Sequence, residues 1–463
     1  MFADFLISWQ ASRIQMRRCV TGCFCRPVTF VFILAKKCFR FVVRCPAKCM
    51  KSISTLFQIL IGRRVAVLYA VTFLIILPIL FHDDHHSAFC LHDKTVLKKL
   101  MKTANSDRIV QAEKYFSTLN DSGTIKPNVP YGGSSSDNTV TVALTIVTVS
   151  RNRHEIDSYK PKYLTQTLWR FHSLLQRWQL HNHRLHVLMS ICNVDSIIAS
   201  YHEALTLSKY IPMFSRFNET HFSLVHSLEK EKQDYQFCLN KSLEVTNADY
   251  VFLVEDDAFP TDDVFHVLQQ VIAMHTERSF LHGEFYTRPS DIAFVKFFHP
   301  ERLLGFVSIE PERLPELFSY AAVLSTLLTV VYAITCSGFA AIGNEVTVTA
   351  CWARLFLFSV IVMLSCGRAG ISEWRRLASP LFYSYTKAPS CCTPAMLFPR
   401  SAALLTINYL NSSMCKNNFG KDSLLDNMLA DLHLTARLVQ PNTFTHIGVY
   451  SSLRLRMVDP LLV

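Results

Sequence analysis

The sequence predicts an α/β fold with a mostly parallel sheet, interrupted by a two-helix transmembrane hairpin and preceded by a signal-anchor helix. Three observations carry this prediction. β-Branched runs alternate with helical periodicities between residues 140 and 298. Two apolar stretches follow, 317–342 and 346–366, separated by the polar Gly343-Asn344-Glu345. A charge-free stretch, 65–81, also stands directly behind a basic tail.

Residues 1–64 hold twelve Lys/Arg and one acid, Asp4, which accounts for the whole net charge of +11. Of the 47 basic and 36 acidic residues, 35 of each remain beyond the tail and cancel. The basicity belongs to the tail, and nucleic-acid binding by the folded part is not expected. Seventeen uncharged residues, 65–81, are at the short end for a spanning helix. With basic residues before them, they read as a signal anchor that leaves the N-terminus in the cytosol and puts residues beyond His82 in the lumen. The expected organisation is a tail at 1–64, an anchor at 65–81, a first lumenal part at 82–316, a hairpin at 317–366 and a second lumenal part at 367–463. Arg354 is the one charge in the second apolar run, and such a side chain can snorkel to the interface. Candidate N-glycosylation sites are Asn120, Asn218, Asn240 and Asn411; Asn240 falls in a helical stretch. Cys90, Cys192, Cys238, Cys391, Cys392 and Cys415 then face an oxidising compartment, with pairing that spacing cannot fix.

Within the first lumenal part, 140–149 is a buried strand and 162–180 an amphipathic helix carrying Leu164, Leu168, Phe171, Leu175 and Trp178 on one face. Residues 185–192 form a second strand. Tyr235, Cys238, Leu239 and Leu243 mark a helix leading into strand 251–254, and 292–298 is a further strand. No GxGxxG or GxxxxGK[ST] occurs, which removes the common dinucleotide and P-loop readings.

The strand at 251–254 runs straight into Glu255-Asp256-Asp257. Adjacent carboxylates repel, so the triplet fits either a divalent-cation site or a solvated acidic turn. At the carboxyl end of a strand in an open sheet, the first reading is a metal–nucleotide site. A nucleotide-sugar transferase needs a cation on its leaving diphosphate, a base for the acceptor hydroxyl and contacts to the nucleoside. Asp257 suits direct ligation, with Asp256 or Glu255 on ribose or a bound water, and His446 could complete the sphere around Mn²⁺ or Mg²⁺. Gly420-Lys421-Asp422 followed by Ser-Leu-Leu reads as a helix start, placing Asp422 and Asp426 on one face. Either could be the base, or both could merely complement the helix dipole. Ser150-Arg151 after the first strand could meet a diphosphate, and Asp195 after the second could meet uracil or ribose. His82-Asp83-Asp84-His85-His86 reads as a polar membrane boundary rather than a metal cluster.

Several segments together resemble the post-GPI-attachment N-acetylgalactosamine transferases of the Golgi. They are the acidic triplet, Phe294-Val295-Lys296-Phe297-Phe298-His299-Pro300-Glu301-Arg302, the hairpin, Cys391-Cys392-Thr393-Pro394-Ala395, and the stretch from Gln440 to Ser452. The resemblance covers roughly residues 60–463, and the tail before residue 53 matches nothing in that family. A more distant likeness is to N-glycan-branching N-acetylglucosaminyltransferases, which pair a similar triplet with a His-Ile/Val-Gly…Ser-Ser ending. The resemblance implies a GT-A fold split by two transmembrane helices, with UDP-GalNAc as donor and Mn²⁺ as metal. The acceptor is then the first mannose of the GPI glycan on GPI-anchored proteins, modified with inversion at a membrane surface. It implies Glu255, Asp256, Asp257 and His446 as the metal and donor site, Asp422 as base and Asp426 as second choice. The alternatives are N-glycan branching and a non-catalytic membrane scaffold.

Overall fold

The computed structural model describes residues 63–81, 89, 94–121, 139–151, 161–179, 185–218, 226–277, 291–300, 305–306, 313–336, 345–368, 370–372, 379, 382–416, 419–451 and 456–457. The tail before residue 63, the cluster from His82 to His86, Cys90 and Ser452 lie outside these. The chain divides into two compact units, Met1–Lys94 with Glu301–Arg375 and Thr95–Pro300 with Arg376–Val463.

The described residues of the first unit are mainly helical. Helix α1 spans residues 63–81, with a π turn at Thr72–Ile76 between Arg63–Val71 and Leu77–Phe81. Two longer helices, α7 (Arg313–Cys336) and α8 (Glu345–Cys366), follow the break in the sequence. Both α7 and α8 are long and apolar enough to cross a bilayer, whereas the apolar part of α1, Val67–Phe81, is shorter. Phe73, Leu77 and Phe81 of α1 pack with Leu317, Phe358 and Val362 in one cluster, where the Tyr69 ring meets Phe358 edge-on at 5.1 Å. Leu74, Ile79, Val323, Leu327 and Ile334 face outward, a density of exposed apolar side chains that water does not favour.

The second unit is a mixed α/β layer structure. Its strands are β1 (Val140–Thr148), β2 (Leu185–Asn193), β3 (Met213–Ser215), β4 (Tyr250–Glu255), β6 (Ile292–Lys296), β7 (Ser384–Lys387), β8 (Ala395–Pro399) and β9 (Thr435–Gln440). They form one eight-stranded sheet in the order β3-β2-β1-β4-β8-β6-β9-β7. Strands β3, β2, β1 and β4 run parallel, and β8 enters antiparallel between β4 and β6. The predicted strands and the parallel βαβ half are present with ends shifted by a few residues. Antiparallel β8 lay beyond what local periodicity could give, because its partners come from the other side of the hairpin.

Strand β4 shows why the sheet is buried on both faces. Phe252 and Val254 join the core containing Leu164, Leu168 and Phe171 of helix α3 (Tyr163–Gln179), while Val251 and Leu253 join the core of helix α5 (Ser227–Thr246). Successive strand residues point to opposite faces, so a continuous apolar run requires helices on both sides. Helix α5 ends where Asn247 takes φ 50°, the left-handed conformation asparagine tolerates, and returns its N–H to the Leu243 carbonyl. Asp249 then accepts the Thr141 N–H at 2.8 Å, setting β4 in register with β1. Helices α9 (Arg400–Ser412) and α10 (Lys421–Asp431) pack on the α5 face. A disulfide joins Cys192 of β2 to Cys238 of α5, and Cys391 is bonded to Cys392; Cys415 is a free thiol.

The sequon asparagines are distributed as follows. Asn120 lies in the last turn of helix α2 (Lys94–Asp121). Asn218 follows β3 and is exposed. Asn411 is exposed near the end of α9, and Asn240 sits inside α5 with its amide on Glu244 at 2.5 Å.

Candidate active site

The carboxyl ends of the parallel strands and the start of β8 meet at one edge of the sheet. Thr148 ends β1, Asn193 ends β2, Glu255 ends β4 and Lys296 ends β6, while Thr393 lies two residues before β8. This edge collects the chemistry-bearing side chains, as expected for an open sheet with parallel strands.

The acidic triplet divides in two. Asp256 and Asp257 share the guanidinium of Arg151, at 2.5 Å to Asp256 Oδ1 and 2.9 Å to Asp257 Oδ2. Thr148 donates to Asp256 Oδ2 at 2.8 Å, and Arg151 also donates to the Tyr450 carbonyl at 2.8 Å. The Tyr163 ring lies 4.9 Å under the same guanidinium. Glu255 belongs to a second group, accepting from Lys421 Nζ at 3.1 Å and from Thr393 Oγ1 at 3.3 Å. Lys421 also pairs with Glu231 at 2.7 Å. Three carboxylates in sequence are therefore tolerated because two buried cations divide them.

Burial pushes the Asp256 carboxyl up to about 7, with Arg151 opposing and Asp257 adding to the rise. Burial works the same way on Asp257, but Arg151 and then His446 outweigh it and hold Asp257 below the usual aspartate range. The pair thus keeps one firmly ionised carboxylate, Asp257, at the strand end.

His446 reaches this carboxylate through a small ribbon. β5 (Ala258–Pro260) pairs antiparallel with β10 (Phe444–His446), aligning His446 with Ala258. Its Nε2 is 3.6 Å from Asp257 Oδ2, and its ring stacks on Phe298 at 5.9 Å. Next along, Ile447 donates its N–H to the Asp257 carbonyl at 2.8 Å. Gly448 leaves the space a side chain would fill, since a Cβ there would lie 2.8 Å from both Asp257 Cγ and His446 Cε1. Asp257 Oδ1 and His446 Nδ1 are buried without a hydrogen-bond partner. An unpartnered carboxylate oxygen and an unpartnered imidazole nitrogen, on side chains that only a glycine at 448 lets pack this closely, are donor types that fit a hard divalent cation, with Asp257 and His446 as the holding residues.

Two expectations change. Arg151 was expected to meet a diphosphate, and its guanidinium is instead committed to the acidic pair. Asp195 was expected to meet a nucleoside. It is fully buried, accepting the Ser150 N–H at 2.9 Å and the Ile197 N–H at 2.6 Å, so it ties the end of β1 to the loop after β2. A carboxylate saturated by amides positions backbone rather than ligand. Ser150 contributes through that same amide.

Asp422 opens α10 as predicted, after Gly420 at the N-cap. Its Oδ2 accepts the Cys392 N–H at 2.9 Å and its Oδ1 faces Thr393 Oγ1 at 3.3 Å. Thr393 therefore links Asp422 to Glu255, which brings the two halves of the site together across the hairpin insertion. One turn on lies Asp426; burial raises its carboxyl, against the charge of Lys296 and the Cys391 backbone. Sequence reasoning missed Lys296, Thr393, Lys421, Tyr163 and Gly448. Lys296, Thr393, Lys421 and Gly448 stand inside segments already singled out, and Lys421 and Tyr163 open helices, but no spacing gives any of them a site role until strands far apart in sequence become neighbours.

The family model for GPI-N-acetylgalactosamine transferase PGAP4 matches residues 142–445. The match runs from β1 through both sheet halves and the apolar pair between them, covering more than half of the chain. The chain belongs to the GPI-N-acetylgalactosamine transferase PGAP4 family.

Proposed function

We propose that this protein transfers N-acetylgalactosamine from UDP-GalNAc to the first mannose of the GPI glycan on GPI-anchored proteins, with inversion, in the Golgi lumen. Family membership supports GPI GalNAc transfer itself. The single observation that carries the mechanism is the Asp257–His446 corner packed on Gly448, with unpartnered Asp257 Oδ1 and His446 Nδ1, next in sequence to the Glu255 that Thr393 links to Asp422.

Asp257 and His446 would hold Mn²⁺ or Mg²⁺, which supplies charge neutralisation on the departing diphosphate when bound. Arg151 balances the remaining charge of the acidic pair and keeps Asp256 and Asp257 in fixed positions. Asp422 takes the proton of the mannose hydroxyl as that oxygen bonds to the anomeric carbon and the bond to UDP breaks. Attack from the face opposite UDP inverts the sugar. Lys421 pairs with Glu255 at 3.1 Å and offsets its charge beside this carboxylate. The layered sheet supports a GT-A-type domain.

Helices α1, α7 and α8 form the membrane-spanning set in this reading, with α1 as signal anchor. Because α7 and α8 are spliced between β6 and β7, both sequence segments of the catalytic unit are tied to the membrane that carries the acceptor. Confinement of this kind raises effective concentration. Titration of UDP-GalNAc against UDP-GlcNAc, with and without Mn²⁺, tests the proposal. Metal-dependent preference for UDP-GalNAc is expected; equal metal-free binding of both would reject it. A preference for UDP-GlcNAc would point to the N-glycan-branching activity instead.

A further inference from the structure

The turn before β8 carries two consecutive residues in a conformation that L side chains rarely adopt, Cys391 at φ 67° and Cys392 at φ 69°. Their sulfurs are bonded to each other, which closes a small ring through their own peptide bond. A ring of this kind restricts the backbone torsions of both residues together. The amides it orients face the site: Cys392 donates to Asp422 Oδ2 at 2.9 Å, and the Cys391 backbone acts to lower the neighbouring Asp426 carboxyl. Lys296, 3% exposed, grips the same turn, donating to the Pro389 carbonyl at 3.0 Å and to the Cys391 carbonyl at 2.6 Å. One turn thus presents the Cys392 N–H to Asp422 while a buried ammonium holds its carbonyls.

We infer that the oxidised Cys391–Cys392 pair is a positioning element for the acceptor-activating carboxylate: the ring it closes fixes Asp422, with Asp426 behind it, and Lys296 anchors that ring. The inference rests on the reading of Asp422 as the base. It assigns the disulfide to transfer chemistry rather than to global stability, because the bond links neighbouring residues and closes almost no chain in the unfolded state.

The test uses the full chain in detergent micelles, measuring transfer kcat, UDP affinity and the redox state of the pair. A dithiol reductant gives two electrons and two protons to the sulfur–sulfur bond, yielding two thiols while closing its own disulfide. Transfer kcat should then fall about 10²-fold, the scale for ångström-level misplacement of a catalytic group. UDP affinity should change less than about twofold, as the donor corner is built from other residues. Re-oxidation with glutathione disulfide should restore kcat. Cys391→Ser/Cys392→Ser should start at the reduced level and ignore reductant. A response that persists in this variant would assign the effect to Cys192–Cys238 and overturn the inference. So would parallel loss of UDP affinity, or peptide mapping that finds both thiols free in the active enzyme. Zinc on His299 and the two cysteines, whose ligand atoms lie within 4.8 Å of one another, would overturn it too. Asp422→Asn separates the two levels. If it retains transfer, the base assignment fails; if it abolishes transfer while the double serine variant is fully active, only the positioning inference fails.

Discussion

Replacing Gly448 by alanine perturbs the donor corner without removing a charged group. The added Cβ would stand 2.8 Å from Asp257 Cγ and 2.8 Å from His446 Cε1, against an ordinary contact of at least 3.4 Å. The shortfall is about 0.6 Å toward His446 and larger toward Asp257, whose Oδ2 lies nearer still than its Cγ, and neither neighbour retreats easily in a packed interior. Asp257 is buried and held by Arg151 at 2.9 Å, and the His446 ring is stacked on Phe298. Moving a catalytic group by about 1 Å costs about 10²-fold in rate. A shift of this size therefore predicts a 10- to 10²-fold fall in kcat, or about 1.4–2.7 kcal/mol of transition-state stabilisation. Overpacking should cost about 1–3 kcal/mol of stability as well. The assay is GalNAc transfer under saturating donor, alongside a Mn²⁺ titration of UDP binding and a thermal melt. Gly305→Ala is the control, because nothing lies within 4 Å of its added Cβ. Unchanged kcat and unchanged metal dependence in Gly448→Ala would refute the assignment of the corner between Asp257 and His446 as the cation site.

Three further outcomes follow from the same geometry. Burial raises the Glu203 carboxyl above its ordinary value, against the Thr165 hydrogen bonds and the charges of Lys162 and Arg151. The folded state therefore holds that proton more tightly than the unfolded chain, so its contribution is complete below about pH 4 and is lost as pH rises through the raised value. Glu203→Gln keeps an acceptor for Thr165 and should melt higher than wild type at pH 8, with the two curves converging at pH 4; parallel curves would contradict this. Removing the Cys192–Cys238 bond, which links residues 46 apart, with a double alanine variant should lower the unfolding free energy by about 4 kcal/mol in denaturant titrations. Val323→Lys and Leu327→Lys place charges on side chains 61% and 59% exposed in α7. In a bilayer each should cost about 2.5–3.5 kcal/mol of insertion and reduce the inserted fraction in a glycosylation-reporter assay, whereas in water such surface changes stay within about 0.5 kcal/mol.

How much of this was legible in the sequence depends on the range of the interaction. β1, β2 and β4 announce themselves through continuous β-branched and apolar runs and α3 through a period-3.6 pattern, because the strands are buried on both faces and the helix on one. Gly420-Lys421-Asp422 signalled α10 as a local helix start. The insertion of β8 between β4 and β6 was invisible, since Val254 pairs with Ala395 only after the chain has passed through α7 and α8. The triplet was recognisable as a site but not as a divided one. Its partition depends on Arg151 and Lys421, which approach it from different segments, and the saturation of Asp195 by two amides depends on loop geometry that no spacing encodes.

The measurement closest to the central claim is the mass of the GPI glycan released from an anchored acceptor after incubation with the full-length protein, UDP-GalNAc and Mn²⁺. Wild type should add one N-acetylhexosamine to the first mannose, and an Asp257→Ala variant that folds normally should add none. Equal addition by both proteins, or none by the wild type with donor and metal present, would contradict the account.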